Sequence, residues 1–264
     1  MIKQWRFIRS GFCDPYTNMA IDEAILIAHS KKETLPTLRV YGWKPPAFSI
    51  GYFQKVEEVL DLNKCKKKGI LFVRRITGGK AIFHYQELTY SLTCFKDEIN
   101  AFGSVKEGFK KICSFLLNAY KKLGLNPHFA IEIKLPASEK SLLCFTSYED
   151  YDIIINGKKL GGNAQKRKKD LIFQHGSIPL QLEIDDFFLF LRYKPEGLEE
   201  KVCSLEDVLG RKISFTEIEN IIKTSFEETF SVRLVEGGLT FKEQELATRL
   251  REEKYKTLEW NLKR

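Results

Sequence analysis

Residues 151–162 read YDIIINGKKLGG, and they carry the clearest fold signal in the chain. β-Branched isoleucines lead into Asn156-Gly157, the dipeptide that a two-residue type I′ turn prefers, so this stretch predicts a β-hairpin. The run DLIFQHGSIPL at 170–180 predicts the next strand along the chain. Earlier runs at 69–76 and 88–95 have the same β-branched and aromatic character. Together these strands predict a mixed, largely antiparallel sheet.

Helical signals precede and interrupt these strands. Residues 18–30 place apolar side chains at helical spacing behind a Thr17/Asn18 cap. Residues 104–125 repeat the pattern, with one apolar stripe and a glycine near the end. The sheet is therefore expected to pack against helices in an α+β arrangement.

Two capping-box patterns mark the last quarter of the chain. Thr216-x-x-Glu219 and Thr240-x-x-Glu243 each precede an amphipathic run, which predicts a helical C-terminal portion from about residue 185. No linker rich in proline, glycine or serine divides the sequence. Residues 1–264 are therefore expected to form a single catalytic or binding domain.

Composition narrows the class of protein. The 264 residues include 43 lysines and arginines against 35 acids, a formal net charge of +8. No apolar run approaches the ~20 residues of a membrane helix, and no signal peptide is recognisable, so a cytoplasmic protein without a membrane partner is expected. The densest basic runs, at 64–68 and 166–169, are short and lack interleaved aromatics. An acidic protein partner is as consistent with this charge as nucleic acid, and composition alone does not choose between them; no nucleic-acid partner is expected once the resemblance described below is taken into account.

The six cysteines are scattered through the chain, with no C-x-x-C pair. That spacing argues against structural zinc and against a disulfide framework, so no metal site is predicted. Most free cysteines are small buried hydrophobic residues, and each one taken alone is more often core than catalytic.

Residues 74–84 read RRITGGKAIFH, which invites comparison with a phosphate-binding loop. The spacing of a P-loop is absent, because Lys80 is followed by Ala81 rather than serine or threonine. Two arginines, a glycine pair and a histidine between two strands instead predict the rim of a ligand pocket.

Six blocks of sequence, in order along the chain, resemble the motifs of one protein family. They are NMAIDEA (18–24), WKPPAFSIGYFQ (43–54), RRITGGKAIFH (74–84), GKKLGGNAQ (157–165), QHGSIPL (174–180) and EEKYKTLEWN (252–261). Together they resemble the lipoate-protein ligase and octanoyltransferase family. The resemblance implies an α+β fold like that of biotin- and lipoate-protein ligases, with a class II tRNA-synthetase-like core.

The resemblance also implies a set of functional residues. The implied catalytic residues are Cys144 and Lys159, and the implied substrate-binding residues are Arg74, Arg75, Gly78, Gly79, His84, Gly161 and Gly162. In this interpretation Lys159 holds the acyl carbonyl oxygen, and the glycine pairs let the backbone approach the acyl group.

The segment LLCFTSYEDYDIIINGKK, at 142–159, resembles the octanoyltransferases of Gram-positive type. Those enzymes are implied to move an octanoyl group from octanoylated acyl carrier protein to a lysine of a lipoyl-domain protein, such as glycine cleavage H protein. The intermediate would be a thioester on Cys144, and no cofactor would be needed because a thioester is already activated.

Three alternatives remain open from the sequence. An ATP-dependent lipoate-protein ligase would form a lipoyl-adenylate, require ATP and Mg²⁺, and need no cysteine at position 144. An amidotransferase would move the acyl group between two lipoyl proteins and would still use the cysteine. A non-catalytic acyl-binding regulator is disfavoured, because the hairpin keeps both its glycine pair and its lysines.

Overall fold

The computed structural model describes residues 2–133, 149–183, 188–193 and 197–263. The strands are β1 (Lys3–Cys13), β2 (Thr37–Trp43), β3 (Ala47–Ile50), β4 (Leu71–Arg74), β5 (Ile82–His84), β6 (Glu87–Phe95), β7 (His128–Phe129), β8 (Ile153–Ile155), β9 (Lys158–Leu160), β10 (Gly162–Lys168), β11 (Leu171–Pro179), β12 (Val202–Cys203) and β13 (Val232–Glu236). The helices are α1 (Pro15–Ser30), α2 (Val56–Val59), α3 (Leu62–Lys68), α4 (Val105–Lys122), α5 (Leu198–Lys201), α6 (Leu205–Leu209), α7 (Phe215–Phe230), α8 (Phe241–Leu250) and α9 (Leu258–Asn261). A 3₁₀ turn spans Ala130–Glu132, and a π-helical turn spans Arg251–Tyr255.

The main sheet has six strands in the order β10-β11-β6-β2-β1-β13. Strands β10, β11, β6 and β2 pair antiparallel, whereas β1 pairs in parallel with β2 and with β13. The predicted mixed, largely antiparallel sheet is therefore confirmed. Two smaller sheets, β12-β9-β8-β7 and β4-β3-β5, flank it.

Alternate residues of the main sheet face two apolar layers. On β2, Leu38 and Val40 join the core that α4 and α7 cover, while Tyr41 joins the layer under α1 and α8. The first layer is dense in aromatic contacts; Phe226 packs edge-on against Trp5, with ring centroids 5.2 Å apart. Helices on both faces of the sheet confirm the predicted α+β class.

The predicted hairpin forms as expected. Asn156 and Gly157 take positive φ angles of 52° and 78° at its tip. Ile155 pairs with Lys158, and Ile154 pairs with Lys159, in antiparallel register. The turn thus places the two adjacent lysines on opposite faces of β9.

Two helix starts differ from the sequence prediction. Helix α1 begins at Pro15 rather than near Asn18, because the Asp14 carboxylate accepts the backbone N–H groups of Tyr16 and Thr17. Helix α7 is capped by Ser214, whose hydroxyl accepts from the Glu217 backbone, so the predicted Thr216 cap is wrong. The capping box of Thr240 is confirmed.

The C-terminal portion is not wholly helical. Strand β13 follows α7 and pairs with β1 over five residues, which makes it an edge of the main sheet. Within the described ranges, no helix is both long and apolar enough to span a membrane.

Candidate active site

A cavity opens where the small β4-β3-β5 sheet meets the end of the main sheet that holds β10 and β11. Side chains from both sheets, and backbone from their glycines, form its walls. The lining residues are Trp43, Ser49, Arg75, Gly79, Ile82, His84, Thr89, Gly162, Asn163, Ala164, His175, Gly176 and Ser177. The predicted residues Arg75, Gly79, His84 and Gly162 are therefore brought together in one place. We call this space the central cavity.

Arg75 fixes the loop that follows β4. Its guanidinium donates to the backbone carbonyls of Ser49, Gly78 and Lys80 at 2.8–3.1 Å. Gly79 has a φ of +86°, and a Cβ there would lie 2.9 Å from Arg75 Nη2. Glycine is therefore required at this position for Arg75 to keep its hydrogen bonds.

Arg74 has a different environment from its neighbour, and it is not among the cavity-lining residues. Its guanidinium donates to backbone carbonyls of a loop after β3 and of the last helical turn. These acceptors are the carbonyl oxygens of Gly51, Tyr52, Gln54, Trp260 and Asn261. Arg74 thus ties α9 to the rim of the central cavity, and within the described contacts its role is to hold backbone.

His84 is buried at the end of β5, and its two ring nitrogens have different partners. Nδ1 lies 2.6 Å from Glu87 Oε1, and Nε2 lies 2.7 Å from Ser49 Oγ. The turn between β5 and β6, in which Gln86 has a φ of 41°, brings His84 and Glu87 together. The indole of Trp43 stacks on the imidazole, with centroids 3.8 Å apart.

The Glu87 carboxylate is the centre of this buried cluster. It accepts hydrogen bonds from the hydroxyls of Thr89, at 2.5 Å, and Ser177. Thr89 in turn accepts the indole N–H of Trp43 at 2.8 Å. The cluster links β5, β6, β2 and β11, so it fixes the cavity wall from four strands.

A second histidine, His175 on β11, lines the opposite wall. Its Nε2 lies 2.7 Å from Thr77 Oγ1, and its Nδ1 lies 3.9 Å from the Asp22 carboxylate. Burial, together with the positive charge of Arg75, holds the pKa of His175 well below its usual range. The imidazole of His175 is therefore neutral at physiological pH.

Lys159 is buried on β9, with 1% of its surface exposed. Its ammonium donates to Asp152 Oδ2 at 2.6 Å, and that oxygen also accepts the Glu149 backbone N–H. Within the described part of the chain, the ammonium of its neighbour Lys158 donates to the backbone carbonyl of Glu199 at the surface. The hairpin therefore buries one lysine with a carboxylate partner and leaves the other at the surface.

The glycine pair after β9 lets two strands approach closely. Gly161 has a φ of +75°, and a Cβ there would lie 2.1 Å from the Ser177 carbonyl oxygen. Gly162, which pairs with Ser177, lines the central cavity. The two glycines therefore connect β9, which holds Lys159, to β10, which forms part of the cavity wall.

The described cysteines are poor nucleophiles. Burial raises the pKa of Cys65 to about 11 and of Cys203 to about 12. It also raises the pKa of Cys13, Cys94 and Cys113. The thiolate is the reactive form, so a raised pKa lowers reactivity. The sixth cysteine, the predicted nucleophile Cys144, lies outside the described residues.

Sequence reasoning missed several residues of the site. Ser49 and His175 lie inside two of the family-like blocks, yet no role was predicted for them. Glu87 follows His84 by three residues, a spacing that is informative only once the turn between them is known. In the described part of the chain, no group of three or more histidine, cysteine or carboxylate side chains is arranged to hold a metal ion.

Comparison with known proteins agrees with this architecture. A family model described as the lipoyl protein ligase A/B catalytic domain matches residues 14–227. Octanoyltransferase LipM of Anoxybacillus flavithermus is 39% identical over 276 residues, covering 98% of each chain. Octanoyltransferase LipM of Moorella thermoacetica is 39% identical over 265 residues, covering 97% of each chain.

Solved structures show the same fold. The bipartite lipoate protein ligase of Thermoplasma acidophilum has a TM-score of 0.81 at 26% identity, covering 98% of this chain and 96% of that chain. A lipoate-protein ligase A bound with ATP has a TM-score of 0.81 at 27% identity, covering 99% of each chain. The chain belongs to the lipoyl protein ligase A/B catalytic-domain family. Within that family its full-length relatives identify it as an acyltransferase enzyme.

Proposed function

We propose that this enzyme transfers an octanoyl group from octanoylated acyl carrier protein to a lysine of a lipoyl-domain protein. The observation that carries the proposal is a glycine-walled cavity whose lining residue Gly162 begins the strand after the one that holds the buried Lys159, in a chain whose full-length relatives are octanoyltransferases. A thioester donor is already activated, so the transfer needs neither ATP nor a metal.

In the first half of the proposed reaction, Cys144 takes the octanoyl group. Its sulfur attacks the donor carbonyl carbon, a new C–S bond forms, and the carrier's thiol leaves with a proton. Thiol-for-thiol exchange is close to isoenergetic, so the step is reversible. The raised pKa of the five described cysteines supports Cys144 as the nucleophile, since each of the others is held in its unreactive thiol form.

Lys159 is proposed to stabilise the oxyanion that forms on the acyl carbonyl in each half of the reaction. A buried ammonium is a strong donor to a developing negative charge, because water does not screen it. The amides after Gly161 and Gly162 are proposed to share this oxyanion, and Trp43 and Ile82 are proposed to contact the acyl tail. Each buried methylene of that tail contributes about 0.8 kcal/mol to binding.

The proposed protein substrates are acyl carrier protein as donor and a lipoyl-domain protein, such as glycine cleavage H protein, as acceptor. The net charge of +8 supports partners that carry acidic surfaces. Opposite charges speed encounter and fix orientation, and screening by salt lets a partner leave again.

The test is intact-protein mass spectrometry after mixing the enzyme with octanoyl-carrier protein in the absence of ATP. We expect a mass gain of one octanoyl group that is labile to hydroxylamine and absent in Cys144→Ala. A parallel sample with octanoylated H protein as donor distinguishes an amidotransferase. An enzyme that gains no octanoyl group from either donor would contradict the acyl-enzyme proposal.

A second candidate function is the ATP-dependent ligation of lipoate. One observation favours it: a full-length structural likeness to a lipoate-protein ligase A bound with ATP, at 27% identity. That function requires ATP and Mg²⁺ and predicts that Cys144→Ala keeps its activity. Release of pyrophosphate from ATP, dependent on free lipoate and unchanged in Cys144→Ala, would establish it.

A further inference from the structure

Three side chains form a continuous chain of hydrogen bonds that ends at the central cavity. Glu87 Oε1 lies 2.6 Å from His84 Nδ1, and His84 Nε2 lies 2.7 Å from Ser49 Oγ. All three residues are buried, and both His84 and Ser49 line the cavity. A carboxylate, an imidazole and a hydroxyl are thus arranged in series, with the hydroxyl at the ligand space.

The direction of each proton in this series follows from Glu87 and Arg75. An ionised Glu87 carboxylate can only accept, so the Nδ1 proton of His84 points to it. Arg75 Nη1 can only donate and occupies one lone pair of Ser49 Oγ at 3.1 Å, and the Ser49 proton is directed to the unprotonated Nε2 of His84. A neutral imidazole and an ionised carboxylate satisfy every group, so Nε2 is ready to take a proton through Ser49.

We propose that Glu87, His84 and Ser49 are a proton relay that serves the second half of the transfer, in which the acceptor lysine attacks the acyl group. This inference rests on the proposed function, which supplies an acyl thioester in the cavity. An amine that attacks a carbonyl must lose a proton before the amide is stable, and the relay gives that proton a destination.

The proposed step conserves atoms and electrons. The nitrogen lone pair of the acceptor lysine forms a C–N bond to the acyl carbon, and the carbonyl π pair moves to oxygen. The proton on nitrogen passes to Ser49 Oγ as the Ser49 proton passes to His84 Nε2. When the oxyanion collapses, the C–S bond breaks, and the imidazolium returns its proton through Ser49 to the leaving sulfur.

Glu87 is the positioning residue of the relay, and Ser49 is the residue that faces the substrate. The carboxylate fixes the tautomer of His84 and stabilises the imidazolium while it exists. Among the described residues, the other titratable groups near His84 and Glu87 include Arg75, His175 and Tyr41, and Asp22 contacts both His175 and Tyr41. Arg75 is a permanent cation, whereas burial raises the pKa of Tyr41 and lowers that of His175, so both stay neutral.

The experiment separates the two half-reactions. Enzyme is first loaded from octanoyl-carrier protein, then mixed with a lipoyl-domain acceptor and quenched at intervals between about pH 5.5 and 8.5, around the titration range of histidine. Intact masses of both proteins give loading and transfer in one sample. The titration of the acceptor lysine is the same for every variant, so differences between variants report on the relay.

We expect Ser49→Ala to load normally and to transfer about 10²-fold more slowly, and Ser49→Thr to recover much of the rate because it keeps a hydroxyl. The transfer rate is expected to fall at low pH, and we call this fall the acid limb. We expect Glu87→Gln to move the acid limb by ~1 pH unit or more toward lower pH. Loss of the carboxylate charge favours the neutral imidazole.

A control uses a second histidine–glutamate pair among the described residues, in which His29 is buried and Glu98 is half-buried. His29 Nε2 lies 3.0 Å from Glu98 Oε2, at the far end of α1 and outside the central cavity. Glu98→Gln is expected to keep the wild-type pH profile. The relay is refuted if Glu87→Gln slows transfer by one factor at all pH values, or if loaded Ser49→Ala transfers at the wild-type rate.

The outcomes also separate this inference from the proposed function. A wild-type enzyme that never loads refutes the acyl-enzyme, and the relay falls with it. If the enzyme loads normally and Glu87→Gln leaves the acid limb where it is in the wild type, the relay is refuted and the acyl-enzyme is not. Ser49 and Glu87 lie on different strands. If one of the two variants fails to fold, the other variant still tests the relay.

Discussion

Asp22 and Glu87 are both buried carboxylates that face the same side of the main sheet, yet their partners differ in kind. Asp22 accepts from Arg39 at 2.7 Å and from the Tyr41 hydroxyl at 2.8 Å. Glu87 is paired with His84, and the described residues place no lysine or arginine within salt-bridge distance of it.

The two partners give the two carboxylates different capacities for proton exchange. An arginine stays protonated at every physiological pH, so the Asp22–Arg39 pair cannot exchange protons and serves only to hold α1 on β2. A histidine ring can both accept and donate a proton, so the Glu87–His84 pair can take up a proton and pass it on. The central cavity lies beside the second pair.

Removing one partner of the structural pair should have the largest effect. Arg39→Met strands the Asp22 charge in the core and is expected to lower the free energy of unfolding by about 3–5 kcal/mol. Urea denaturation measures this change. Adding Asp22→Asn to the same chain should recover part of the loss, because the stranded charge is then gone; equal stability of wild type and Arg39→Met would contradict the comparison.

The Lys159–Asp152 pair tests whether a buried charge that is not expected to exchange protons can still contribute to catalysis. Lys159→Ala is expected to slow octanoyl transfer by about 10²–10³, because it removes the proposed oxyanion donor, which would act without changing its own charge. The transfer rate to a lipoyl-domain acceptor measures this loss. Lys158→Ala is the matched control and should keep the wild-type rate, since that lysine bonds a surface carbonyl.

His175 lies 3.9 Å from the Asp22 carboxylate, and it should have the smallest effect, a change in how the free energy of unfolding depends on pH. Its folded-state pKa is lowered, so the unfolded chain binds the proton more readily below the unfolded pKa of ~6.5. Stability is therefore full above that pH and is lost as the pH falls. Between pH 7.5 and 5.5 the loss from this one group is about 1 kcal/mol.

Denaturation curves at the two pH values measure that loss. The variant His175→Gln removes the titrating group and should flatten this part of the pH dependence. A slope that survives His175→Gln unchanged would assign the pH dependence to another group.

Local signals in the sequence predicted local structure well. Asn156-Gly157 formed its turn, and Thr240 formed its capping box, because each depends on residues within four positions. The start of α1 was missed although Asp14-Pro15 is itself a cap signal. Strand β13 was missed because it is five residues long, lies between helices, and gains its stability from β1 at the other end of the chain.

The candidate site was predicted in part for the same reason. Its glycines, His84 and Lys159 lie in short blocks that resemble a family, so they could be named from sequence. The contact of Thr77 with His175 joins residues 98 positions apart, and no local pattern encodes it. The different contacts of Arg74 and Arg75 also depend on distant parts of the chain. Strand β4 ends at Arg74, whose guanidinium contacts α9, whereas the guanidinium of Arg75 contacts Ser49 on β3.

The clamp that Arg74 makes on the last helical turn has a consequence for synthesis. The loop at Gly51–Gln54 is made early, but its partners Trp260 and Asn261 are made more than two hundred residues later. Translation therefore supplies these two acceptors long after it has supplied Arg74 and the loop. Until then, a nascent chain lacks the carbonyl groups of Trp260 and Asn261 that hold Arg74 in place.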